Sequence, residues 1–112
     1  MPGKYELKHS TNGQFMFHLK AANHEIILAS QTYTSKEAAR NGIESCKKNS
    51  GTDAHYDRRT AKNGQPYFVL LAANKQVIGN SEMYSSTSAM ENGIRSCITN
   101  GPTAEVVDLT TK

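Results

Sequence analysis

Tryptophan is absent from this chain, cysteine occurs twice and proline three times in 112 residues, and only 7% of the residues are aromatic. Two cysteines cannot supply the disulfide framework on which small secreted domains rely. No stretch approaches the roughly 18 consecutive apolar residues needed to cross a bilayer. Met1-Pro2-Gly3-Lys4 leads directly into an alternating pattern, without the apolar leader of a secreted protein. A cytoplasmic protein without a membrane segment is expected. A strong surplus of one charge is missing too: the formal balance is +3. Residues 1–62 hold ten Lys/Arg against six Asp/Glu, and residues 63–112 hold three against four. The basic side chains are dispersed rather than gathered in runs, as on an ordinary solvated surface.

What the chain does have is a repeat. Shifting the sequence by 51 residues lays 12–46 on 63–97 with 18 identities in 35 positions. Among them are Gly13/Gly64, Phe17/Phe68, Leu19/Leu70, Ile27/Ile78, Ser30/Ser81, Tyr33/Tyr84, Gly42/Gly93, Ile43/Ile94 and Cys46/Cys97. Two copies are too few for a solenoid, which needs about three stacked units. A unit of about 50 residues also buries too little surface to stand alone. The reading is therefore one domain, 1–112, built of repeat 1 (1–51) and repeat 2 with a C-terminal strand (52–112). The copies should be related by a pseudo-two-fold axis, like a dimer fused into one chain and behaving as a monomer.

Each copy reads alike. Tyr5–His9 alternates apolar and polar residues as a half-buried strand does. Asn12-Gly13 and Asn63-Gly64 supply hairpin turns, and Asn23-His24 the next tight turn. Phe15, Phe17 and Leu19 share one face of a second strand, with Met16 and His18 on the other. Glu25–Ser30 is the third. Their counterparts are Pro66–Ala72 and Gln76–Ser81, with Pro66 at a strand start or edge. Thr34-Ser35-Lys36-Glu37 predicts a capping box opening a helix to about Lys48, and Ser85 is expected to cap the second. Ala39, Ile43 and Cys46, then Met90, Ile94 and Cys97, form the apolar stripes. Mid-helix Gly42 and Gly93 each cost roughly 1 kcal/mol relative to Ala, so each should permit a close approach to the sheet or the other helix. Extended segments follow both helices: Ala54–Arg58, possible last strand of one copy and first of the next, and Glu105–Leu109. The fold class expected is α+β: two tandem β3-α-β units sharing one largely antiparallel sheet, one helix per unit, with returning strands exchanged.

The strings NGQFMFHLKAANHEIILAS-x-x-Y-x-S and NGI-x-SC resemble the YegP-like family, small bacterial proteins of uncharacterised function, over nearly the whole chain. The resemblance implies the same paired β3-αβ fold with exchanged C-terminal strands, and it supplies no activity. Family members often carry Trp in the second strand and Val after N-G-I-x-S. Here Phe17/Phe68 and Cys46/Cys97 stand instead, so no role is carried over at those positions.

No motif assembles catalytic chemistry. Cys46 and Cys97 lie late on apolar helix faces with no base beside them in sequence, as inert buried thiols would. His9, His18, His24 and His55 lack metal spacing and do not recur in the second copy. The Asn-Gly pairs lack the several glycines and following helix of a phosphate cradle. Tyr33 and Tyr84 precede their helices, either capping the core or offering stacking surfaces to a ligand. An asymmetric site would appear where the copies differ: Lys20/Leu71, Leu28-Ala29/Gly79-Asn80 and Arg40/Glu91. None of these gathers an acid, a base and a nucleophile. No enzyme, cofactor or metal site is expected. The favoured expectation is a non-enzymatic interaction module for a protein or peptide partner, with edge strands open to an added strand. The alternative is weak nucleic-acid binding through Lys8, Lys20, Arg58, Arg59 and Lys62, interleaved with Tyr5, Phe17 and Tyr56.

Overall fold

The computed structural model describes residues 3–10, 13–23 and 25–110. Strands β1 (Lys4–His9), β2 (Phe15–Lys20) and β3 (Ile26–Ser30) precede helix α1 (Lys36–Asn49). A short 3₁₀ turn at Asp53–His55 leads into β4 (Tyr56–Thr60), β5 (Pro66–Leu71) and β6 (Val77–Asn80), then α2 (Thr87–Asn100) and β7 (Glu105–Asp108). The seven strands form one sheet in the order β4-β5-β6-β3-β2-β1-β7. Every pairing is antiparallel except β1 with β7.

The copies meet through β3 and β6, where Ala29 pairs with Asn80 and Ser30 with Gly79. Ala29 and Asn80 are equivalent positions of the repeat, so the pseudo-dyad passes through that pair. Leu28 and Gly79, also equivalent, flank it: Leu28 is 1% exposed, whereas a Cβ on Gly79 would come within 2.6 Å of the Ala29 carbonyl oxygen. The returning strands are exchanged. The chain leaving α1 enters β4 beside β5, and the chain leaving α2 enters β7 beside β1. Correcting the expected strand at Ala54–Arg58, its first two residues lie in the 3₁₀ turn, and β4 starts at Tyr56. The segment thus serves as the first strand of the second copy, and β7 is an added seventh strand.

Both helices lie on one side of the sheet over a single core that contains Tyr5, Phe17, Leu19, Ile43 and Cys46 together with Tyr56, Phe68, Leu70, Ile94 and Cys97. In β3 and β6 a bulge turns two successive residues inward, Ile27 with Leu28 and Ile78 with Gly79. The recurrent serines complete it: Phe17 N–H donates to Ser30 Oγ at 2.8 Å and Phe68 N–H to Ser81 Oγ at 3.0 Å. Tyr5 donates its hydroxyl to the Gly101 carbonyl at the end of α2 (2.7 Å), and Tyr56 to the Ser50 carbonyl at the end of α1 (2.6 Å). Each copy's first strand is thereby tied to the other copy's helix.

Local chemistry explains the element ends. Ser35 and Ser86, not Thr34 or Ser85, are the N-caps, accepting from Ala38 N–H (3.0 Å) and Ala89 N–H (3.1 Å). With the cap at Ser35, Glu37 is one residue too early to close a capping box. Gly64 turns the second copy's first hairpin at φ 86°, and Gly13 has φ 82°. Asn12 and His24, assigned to turns from sequence, lie outside the described residues. Pro66 does begin its strand.

Candidate functional site

Helices cover one face of the sheet; among the described residues no helix covers the other. Register places Lys4, Glu6 and Lys8 of β1, Met16, His18 and Lys20 of β2, and Ile26 and Ala29 of β3 on that open face. From the second copy come Asp57, Arg59, Tyr67, Val69, Leu71, Val77 and Asn80. Several strand residues buried against the helices are identical in the two copies. Phe17/Phe68, Leu19/Leu70 and Ile27/Ile78 are kept, whereas Met16/Tyr67, His18/Val69, Lys20/Leu71, Ile26/Val77 and Ala29/Asn80 all differ.

Two of the grooves on this face are related by the pseudo-dyad. One, of about 360 Å³, is lined by Tyr67, Val69, Val77 and Met83 together with Gln31, Arg59, Asn80 and Ser81. Its pseudo-symmetric mate, about 220 Å³, is lined by His18, Ile26, Leu28 and Ala29 with Asn80, Ser81 and Glu82. Val69 is only 3% exposed although it lies outside the helix-side core, so it forms a floor. Met83 is 55% exposed at the rim, and Ile26 and Val77 are 37% and 38% exposed. His18 Nδ1 is buried without a hydrogen-bond partner. Burial, followed by the charge of Lys8, lowers the pKa of this imidazole.

The five cations named from sequence are dispersed. Lys8 and Lys20 are on β1 and β2 of the open face, with Lys20 3.0 Å from Glu6. Arg59 is across the sheet on β4, its Nε donating to Asp57 Oδ2 at 2.9 Å. Arg58 points to the helix side, where it holds Glu91 by two hydrogen bonds (2.6 and 2.9 Å) and Asp53 by one (2.9 Å). Lys62 is exposed beyond the end of β4. Tyr5, Phe17 and Tyr56, which alternate with these cations in sequence, are at most 5% exposed and present no ring to a base.

Tyr33 and Tyr84 lie over the helix glycines. A Cβ on Gly42 would come within 2.7 Å of Tyr33 Cζ and 3.1 Å of a Phe17 ring carbon, and Gly93 stands in the same relation to Tyr84 and Phe68. The close approach is thus with the sheet's Phe and the capping Tyr, rings stacked at 6.3 and 6.2 Å, rather than with the other helix. Where the helices do meet, at their C-terminal ends, a Cβ on Gly101 would strike the Ser50 side chain. Cys46 and Cys97 are free thiols with no exposed surface. Burial pushes Cys46 up to about 12 and raises Cys97 as well, so neither forms a thiolate near neutrality.

Arg40 and Glu91 serve the fold. Arg40 and Lys36 of α1 hold Asp108 of β7 at 2.9 and 2.7 Å. Glu91, the α2 counterpart of Arg40, holds Arg58 of β4. The helix residues Arg40 and Glu91 are equivalent in the repeat and opposite in charge, whereas Asp108 and Arg58 are not equivalent, since Asp57 and Leu7 stand 51 residues before them. Each returning strand carries a charge opposite to that of the helix residue on which it docks.

Sequence reasoning missed the grooves. Their signal was present in Phe68-Val69-Leu70-Leu71, a run that breaks alternation and makes both faces of β5 apolar.

Comparison with known proteins places this architecture. A family described as "Domain of unknown function (DUF1508)" matches residues 10–57 and again 61–108, the second match beginning and ending 51 residues after the first. A UPF0339 protein of Shewanella oneidensis is 56% identical over 110 residues, covering 98% of this chain and 100% of the relative. The UPF0339 protein YegP of Yersinia pestis is 50% identical over 108 residues, 96% of each chain. The solution NMR structure of a Shewanella oneidensis UPF0339 protein superposes with a TM-score of 0.91 at 55% identity, covering 98% of this chain and 93% of the other. That of yegP from E. coli, described as a protein of unknown function, gives 0.93 at 46%, covering 100% and 97%. The repeated strings, the doubled domain and the shared seven-stranded sheet agree: the chain belongs to the DUF1508 family, carries that domain twice, and is similar along its length to UPF0339 proteins including YegP.

Proposed function

We propose that this protein is a non-enzymatic interaction module, acting in the cytoplasm as a monomer, that holds a peptide or protein partner on the open face of its sheet. The observation that carries the reading is the composition of that face. Ile26, Val77 and Met83, three of the four large apolar side chains exposed among the described residues, border it, while its polar positions diverge between copies that share their core. The sheet edges fit partner binding less well. β4 exposes Arg58 and Arg59 beside Asp57, and β7 is four residues long, both features that discourage an added strand. Two buried free thiols fit a reducing compartment. Nucleic-acid binding has less support, because its cations are dispersed or paired and its aromatic residues are buried.

The test is a pull-down from bacterial lysate with wild type and with Val77→Asp/Met83→Asp, repeated after nuclease treatment and at two salt concentrations. A protein partner held by wild type, lost with the variant and insensitive to nuclease is the expected result. No partner, or one retained by the variant, overturns the reading. Nuclease-sensitive and strongly salt-dependent capture transfers it to nucleic acid.

A further inference from the structure

The two grooves occupy equivalent places about the pseudo-dyad yet differ in charge. In the larger, on the second copy's side, every polar lining residue is neutral or cationic: Gln31, Asn80, Ser81 and Arg59. In the smaller, Glu82 takes the place of Gln31 and His18 that of Val69. Asp57, the one acid bonded to Arg59, holds its Nε and does not line the groove, while Tyr67, which does, also hydrogen-bonds the guanidinium, so the cation is held at the groove. Asn80 donates Nδ2 to the Ser81 carbonyl at 3.0 Å, which holds its amide at the groove. The floor is Val69, with Tyr67, Val77 and Met83 around it. An apolar floor with a few convergent polar groups, in a volume within the small-ligand range, is the composition of a ligand site.

We propose that the larger groove binds a carboxylate carried on a short apolar group, with the apolar part on Val69, Tyr67, Val77 and Met83 and the carboxylate at Arg59. Rejection of the same ligand by the smaller groove follows from Glu82. Two sources share this chemistry, a free small aliphatic or aromatic acid and the C-terminal residue of a peptide ending in an apolar side chain. The second source rests on the interaction-module reading and gives it a partner class; the first does not need it.

The experiment is an amide-resolved NMR titration of the full chain with four probes: 3-phenylpropionate, 3-phenylpropionamide, and the peptide acetyl-Gly-Val-Phe with a free or an amidated C-terminus. Shifts concentrated at Gln31, Arg59, Tyr67, Val77 and Asn80 are expected for the acids, with the amides about tenfold weaker. Arg59→Gln and Gln31→Glu, the latter installing the acid found in the mate groove, should each weaken the acids by about tenfold, whereas Glu82→Gln should leave binding at the larger groove unchanged. Tighter binding of the free-terminus peptide than of 3-phenylpropionate selects the peptide source, and the reverse order selects the small acid. Equal binding of acids and amides, indifference to Arg59→Gln, or no shift with any probe at 20-fold excess overturns the proposal. A partner still captured through Val77 and Met83 in that case would leave the interaction-module reading standing.

Discussion

Gly42 shows how one side chain's absence shapes a helix. Replacing it with Ala should gain roughly 1 kcal/mol of helix propensity. The new Cβ would sit 2.7 Å from Tyr33 Cζ, and overpacking of this kind costs about 1–3 kcal/mol. Gly42→Ala is therefore expected to destabilise the protein in urea unfolding. Because the collision is with Tyr33, Gly42→Ala/Tyr33→Leu should be more stable than the sum of its single changes. His18 makes a second prediction. Its ring is half-buried, its Nδ1 has no partner, and Glu6, Lys8, Lys20 and Glu82 are the charged groups around it. A lowered pKa in the folded state means that the unfolded chain takes up the proton first. Stability from this group is present above the ordinary histidine value of about 6.5 and is lost as pH falls through it. His18→Val, which installs the residue of the second copy, should shrink the difference in Tm between pH 7 and pH 5.5. An unchanged difference would assign the pH dependence to other groups.

At the scale of elements, each returning strand is joined by an ion pair to the helix on which it docks. The pairs are Arg40–Asp108 for β7 and Glu91–Arg58 for β4. Lys36 and Thr110 hold the Asp108 carboxyl well below the usual carboxylate range. That contribution is complete above the ordinary value of about 4 and fades as pH drops below it. Glu91 and Arg58 are about one-third exposed, so their pair should contribute only about 1 kcal/mol. Glu91→Arg should cost about that much and Glu91→Arg/Arg58→Glu should recover most of it, as read by a double-mutant cycle in urea. No recovery would mean that the pair does not contribute to stability. The tyrosine at position 33 is fixed by backbone bonds in both directions with Phe15, 2.7 and 2.8 Å. Pro66 stands at the equivalent place beside Tyr84 and lacks an N–H, so the described bond there is the one from Tyr84 N–H to the Pro66 carbonyl, 2.8 Å.

The whole molecule is interlocked rather than tandem. β1 is closed by β7, Tyr5 is anchored to Gly101, and α1 packs against β5 and β6 as well as its own strands. Residues 1–51 alone would lose each of these contacts. That fragment is expected to be unfolded, or to dimerise and rebuild the missing half, in its size and its amide dispersion. A monomeric fragment with a well-dispersed spectrum would contradict a shared core. In the full chain, removing residues 105–112 should lower stability cooperatively, because β1 then becomes an exposed edge over the core.

The amino-acid sequence alone determined the repeat, the kind and order of nearly every element, the buried face of each helix and the exchange of strands. These are local or periodic properties: alternation, a 3.6-residue stripe, a turn glycine, and units too small to bury a core singly. Only tertiary structure decided the caps at Ser35 and Ser86, the 3₁₀ turn before β4, the parallel pairing of β7 and the Tyr33 ring over Gly42. It alone brought Gln31, Arg59, Tyr67, Val77 and Met83 around one groove. Those residues come from five separate segments of the chain, and their proximity depends on strand order, which no local spacing encodes. The uncovered face has the same origin. Both helices cross on one side of the sheet because each must bury its stripe on the shared core, and the other side is left open.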